Sequence, residues 1–166
     1  MIFDATIVFV IIDMRNRKFF LLPLIGIIGL FLSVPAQGDE VPYFYWTAEG
    51  LAIPERLGGL RGDPERGKAV IVDRDRGSCL TCHHMPIPEE PMHGTVGPPL
   101  TGVGARLTEA ELRLRVVDEK LVNPDTIMPG FYRHPSKLNR LHPGFTTTVL
   151  SAQEVEDVVA YLVTLK

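Results

Sequence analysis

Cys79-Leu80-Thr81-Cys82-His83 decides how the rest of this 166-residue chain is read. Two thiols three positions apart at the start of a helical turn can reach the two vinyl groups on one edge of a porphyrin. The next residue then projects its imidazole at the iron. This is the haem c attachment pattern, with Cys79 and Cys82 as thioether sites and His83 as the proximal axial ligand. A structural zinc site would need two further ligands, usually a second pair of cysteines or histidines. The chain has only these two cysteines, and no other histidines form a suitable pair near them. A thioredoxin-like redox pair would follow a strand in a βαβ unit, and strand signals are weak throughout.

Working outward, a second axial ligand must come from a segment that can reach the far face of the haem. The candidates are Met85, Met92 and Met128 with His84, His93, His134 and His142. Met128 lies in Asn123-Pro124-Asp125-Thr126-Ile127-Met128-Pro129-Gly130, a turn-rich loop well downstream, whereas Met85 and Met92 are close to His83. Met128 is therefore the expected ligand. A thioether is softer than an imidazole and raises the reduction potential, so the expected character is that of an electron acceptor. Bis-histidine ligation would be the contrary finding. In Gly97-Pro98-Pro99-Leu100 a rigid turn can offer the Pro98 carbonyl to the second ring nitrogen of His83. Arg106 is expected to meet a haem propionate.

Three helices can be placed around the motif. One starts after Asp63, a good N-cap followed by Pro64 and Glu65, and runs to about Asp73. Another starts at Thr108, which has capping-box spacing to Glu111; Ala110, Leu114, Val117 and Leu121 then make one apolar stripe. The last starts at Ser151 with Glu154 as a second capping box and buries Val155, Val158, Val159 and Leu162. Loops as long as 122–150 are uncommon in a small domain unless they wrap around something. Residues 37–62 show no periodicity and read as an irregular extension. Its aromatic run Tyr43-Phe44-Tyr45-Trp46 either docks on a partner or, more commonly, packs back on its own domain. Residues 63–166 then form the haem-binding domain.

Upstream, Met14-Arg15-Asn16-Arg17-Lys18, the apolar run from Phe19 to Leu32 and Ser33-Val34-Pro35-Ala36 read as a signal peptide cleaved after Ala36. The apolar run is shorter than a membrane span, so no stable membrane insertion is expected. Residues 1–13 fit no part of such a peptide, and Met14 is the expected start. The whole chain carries a net charge of −3, with 17 basic and 20 acidic residues. Removing Arg15, Arg17, Lys18, Asp4 and Asp13 makes it slightly more acidic. No basic surplus remains to neutralise phosphates, which argues against nucleic acid as a partner.

Gly-Cys-x-x-Cys-His, Gly-Pro-x-Leu-x-Gly-Val, Met-Pro and a final helix ending Tyr161-Leu162 resemble class I cytochromes c. Four longer strings are more specific: 63–72, 97–113, 123–129 and 150–162. Together they resemble the X subunits of the sulfur-oxidising cytochrome complex SoxAX. The resemblance covers roughly 53–166 and implies an all-α fold of few helices and long loops around one covalently bound haem c. It implies a periplasmic heterodimer with the SoxA cytochrome, which joins thiosulfate oxidatively to a cysteine of the SoxYZ carrier. The X haem then takes the electrons and passes them to a soluble cytochrome c. In that resemblance Cys79 and Cys82 match the attachment sites, and His83 and Met128 the axial ligands. The segment 133–149 diverges locally, and Tyr43 to Trp46 has no match.

The bare sequence agrees on one point. Both thiols belong to the haem, so none is left for covalent catalysis on sulfur, and no catalytic residue is expected in this chain. The rival reading is a free-standing electron shuttle or the cytochrome subunit of an unrelated dehydrogenase. A haem sensor would need an open sixth site, and Met128 argues against that.

Overall fold

The first helix begins where the local chemistry requires it. In the computed structural model, which describes residues 42–134, 136 and 147–166, Asp63 Oδ1 accepts a hydrogen bond from the Arg66 N–H at 2.9 Å. Pro64 occupies the first helical position of α1, Pro64–Val72, where a missing N–H costs nothing. The expected signal peptide, the start at Met14 and His142 lie outside the described residues.

A short helix α2 spans Val103–Arg106. α3 spans Glu109–Asp118, and Thr108 and Glu111 form a complete capping box. α4 spans Ala152–Thr164 with the corresponding box between Ser151 and Glu154. Single 3-10 turns occur at Leu57–Gly59, Cys79–Thr81 and Glu119–Leu121. No strand occurs among the described residues, where an isolated bridge joins Glu49 and Ala52. No helix among them is long and apolar enough to cross a membrane.

α1 makes its main packing contact with α4, and α3 flanks α4 as well. The α1–α4 crossing is close because Gly67 lies on it: a β-carbon there would sit 1.9 Å from the Asp157 carbonyl oxygen. Arg66 and Asp157 reinforce the crossing with a bidentate pair at 2.8 Å for both bonds. Val155, Val158, Val159 and Leu162 of α4 are buried, as their spacing predicts.

The α3 stripe is only partly as expected. Leu114 and Val117 are fully buried, but Leu121 is 51% exposed. At Asp118 the backbone departs from helical geometry (φ −160°, ψ 87°) and the chain continues as a 3-10 turn. Three residues per turn instead of 3.6 rotate Leu121 off the stripe. The buried surface of α3 is also broader than one stripe, and includes Leu112, Arg113 and Val116.

The cause is the segment before α1. Residues 42–62 form no α-helix or strand, yet Ile53 and Leu57 are each 1% exposed and belong to the core. The Ile53 N–H donates to the Ala110 carbonyl at 3.0 Å. Arg113, buried in α3, donates to the Ile53 carbonyl at 2.8 Å and to both carboxylate oxygens of Glu156. Glu156 in turn accepts from the Leu57 N–H at 2.9 Å. One buried ion pair therefore ties this segment to α3 and α4. Tyr43, Phe44 and Trp46 of the aromatic run pack against the core, while Tyr45 is 87% exposed; Tyr43 stacks on Tyr132 at 4.9 Å, and the Phe44 N–H donates to the Tyr132 hydroxyl at 2.7 Å.

Candidate haem-binding site

Cys79 opens its 3-10 turn because Ser78, in the left-handed region at φ 50°, reverses the chain just before it. The Ser78 N–H donates to the Asp73 carbonyl at 2.8 Å. The amides of Cys82 and His83 both donate back to the Cys79 carbonyl, at 3.1 and 2.9 Å. This compact turn holds the two thiols and the imidazole in one local unit. Leu80 points into the core while both cysteines are half-buried.

Burial pushes the Cys79 thiol up to about 11. A thiol raised in this way is a poor redox nucleophile, because the thiolate is the reactive form. No group of three or more potential metal-ligating His, Cys, Asp or Glu residues occurs among the described residues.

His83 is oriented by its second ring nitrogen, with Nδ1 2.7 Å from the Pro98 carbonyl oxygen. A carbonyl can only accept, so Nδ1 carries the proton and Nε2 is left with its lone pair. That lone pair is the one an iron would take. The turn carrying Pro98 is fixed in its own right: the Gly97 N–H donates to the Cys82 carbonyl at 2.8 Å, and the Leu100 N–H to that of His84 at 2.9 Å. Gly97 is required there, since a β-carbon would lie 2.3 Å from His83 Cε1 and 2.6 Å from Nδ1. The imidazole rests directly on the glycine backbone.

Arg106 occupies the last turn of α2, and its guanidinium donates to the carbonyls of Thr101 at 2.7 Å and Pro99 at 3.4 Å. It braces the turn that presents Pro98. Two of its five donors are engaged in this way, and the side chain is exposed.

Met128 follows α3 in the expected loop and is partly buried against the core. Its N–H donates to Thr126 Oγ1 at 3.1 Å. Several of the other candidates have different work. Met85 is a core residue at 1% exposure, and Met92 is 68% exposed. His93 Nδ1 accepts from the Met85 N–H at 3.1 Å, which puts the ring proton on Nε2 and leaves no lone pair there for a metal. The ring of His134 lies edge-on to Tyr43, and its Nδ1 accepts from the Ser136 N–H.

The donor set fits a covalently attached haem on three counts: a paired thiol turn, an imidazole with its tautomer fixed by a carbonyl, and a glycine bed under the ring. In the sequence Gly97 reads only as part of a turn. The signal for its second role is a glycine next to Pro98, the residue expected to orient the imidazole.

The cytochrome c family profile matches residues 64–166. The chain is also similar to a chain in the crystal structure of SoxXA from P. pantotrophus, with 35% identity and a TM-score of 0.66. That match covers 73% of this chain and 94% of the other. No curated protein sequence matches.

Proposed function

This chain belongs to the cytochrome c family, and from that premise we propose that it is the electron-accepting subunit of a two-cytochrome complex of the SoxXA kind. It is a mostly helical, SoxX-like electron carrier with a covalently bound haem c. The observation that carries the finer reading is the 35% identity across 94% of a SoxXA chain.

In this reading Cys79 and Cys82 would hold the haem as thioethers, His83 and Met128 would hold its iron, and Pro98 fixes the His83 tautomer. Arg106 holds the Pro98 turn and turns its remaining donors to a propionate. When bound, the haem iron supplies a one-electron couple. Joining thiosulfate to the thiol of a SoxYZ carrier cysteine forms one S–S bond and releases one proton and two electrons. Both thiols of this chain are committed to haem, so bond formation belongs to the SoxA partner. This subunit removes the electrons one at a time and delivers them to a soluble cytochrome c. The segment ending at Ala36 directs export to the periplasm.

Affinity isolation of the tagged protein from cells grown on thiosulfate tests the partnership. A second haem-staining chain recovered in equal amount supports it. A protein recovered alone at every salt concentration leaves a free-standing shuttle.

A further inference from the structure

The loop that carries Met128 is anchored on its entry side by the 3-10 turn that follows α3 and on its exit side by the last turn of α3. On the entry side, the amides of Val122 and Asn123 both donate to the Glu119 carbonyl at 2.9 Å. On the exit side, the Phe131 and Tyr132 amides donate to the carbonyls of Val116 and Val117 at 3.2 and 3.3 Å. Asp118, 8% exposed at its side chain, pairs with Arg133 at 3.0 Å.

Between these anchors Lys120 acts as a strut. The Lys120 ammonium donates to the Thr126 carbonyl at 2.8 Å and reaches the Pro124 carbonyl at 3.5 Å. Thr126 is also the residue whose hydroxyl accepts the Met128 N–H. Its N–H is held in turn by the Asn123 carbonyl at 3.1 Å. The cation and the methionine amide thus hold the same residue, the first at the Thr126 carbonyl and the second at its hydroxyl.

We infer that Lys120 is a positioning residue that holds the Met128 loop closed. The inference rests on the reading of Met128 as axial ligand and names the group that keeps it in place. A compact ammonium suits the task because it can serve two carbonyls that point the same way, without needing a planar partner. Its position just past the end of α3 adds the favourable interaction of a cation with the last helical carbonyls.

The test uses the holoprotein in its ferric form, with imidazole as a competing ligand. External imidazole enters only when the loop opens, so its apparent affinity reads the open population. Losing the strut raises that affinity roughly three- to tenfold in Lys120→Met, the net worth of one ordinary hydrogen bond, since solvent screens the exposed ammonium. Lys120→Arg, which still donates, stays near wild type. The sulfur-to-iron charge-transfer band weakens in Lys120→Met and survives in Lys120→Arg. Lys120 is exposed, so the substitutions leave the core intact. Unchanged imidazole affinity in Lys120→Met, with the band abolished in Met128→Ala, overturns the inference and keeps the ligand assignment. An unaltered band in Met128→Ala overturns both.

Discussion

Replacing Arg113 with methionine removes the buried link between the irregular N-terminal segment and the helices. The side chains of Arg113 and Glu156 are each 1% exposed. The guanidinium donates to the two Glu156 oxygens at 2.8 and 3.0 Å, to the Ile53 carbonyl at 2.8 Å and to Glu109 at 2.6 Å. Methionine fills much of the volume but donates nothing. Glu156 then keeps the Leu57 N–H as its partner, and the Ile53 carbonyl loses its buried donor. Breaking a buried pair by removing one partner costs about 3–5 kcal/mol, because the remaining charge is uncompensated. That is a large share of the roughly 5–15 kcal/mol that holds a domain together. Adding Glu156→Gln removes the stranded charge yet leaves an acceptor for Leu57. The double variant should therefore recover at least about 2 kcal/mol of the loss. Guanidinium unfolding followed by far-ultraviolet circular dichroism measures each value. A cost for Arg113→Met below about 1 kcal/mol, or a double variant no more stable than the single one, would refute the reasoning.

Gly97→Ala pushes a methyl group into the His83 ring and weakens its bond to Pro98; a less basic imidazole raises the reduction potential by roughly 20–60 mV, and an unchanged potentiometric titration contradicts this. Met128→Ala abolishes the sulfur-to-iron charge-transfer band and lets the ferrous protein bind carbon monoxide at neutral pH, whereas a wild-type spectrum removes Met128 from the site. For Asp157, burial pushes the carboxyl up, but Arg66, the Asp63 N–H and Gln153 together hold it below its ordinary value of 3.8. A carboxyl lowered on folding stabilises the fold above its unfolded value and loses that contribution as pH falls through the folded one. The melting temperature of the wild type should thus drop below about pH 4, and Asp157→Asn should show a shallower drop; parallel curves would show that the pair contributes nothing.

What the sequence disclosed was local. Asp63, Thr108 with Glu111, and Ser151 with Glu154 mark helix starts because capping chemistry acts over three or four residues. All three are found where those residues stand. The His83–Pro98 contact was legible for a related reason: it joins a motif histidine to a rigid turn a short way downstream.

The unread features depend on distant partners. Nothing near Arg113 announces that Glu156, 43 residues on, will bury it, and an arginine in a helix ordinarily reads as solvated. Ile53 and Leu57 lack periodicity, so their place in the core emerges only when α3 and α4 pack around them. Leu121 fails as a stripe residue because Asp118 ends the α-helix early, to start the loop that carries Met128. The guanidinium of Arg106 proves to be a brace on the carbonyls of Pro99 and Thr101. Lys120 is an exposed residue whose bond to the Thr126 carbonyl depends on how the loop folds.

The central claim is that this haem receives electrons from thiosulfate conjugation and from nothing simpler. The direct measurement is the rate of haem reduction in the purified complex, followed in the α-band, with thiosulfate and the SoxYZ carrier added separately and together. The account predicts reduction only when both are present, and loss of that reduction when the carrier cysteine is blocked. Equal reduction by thiosulfate alone, or none with both, would contradict it.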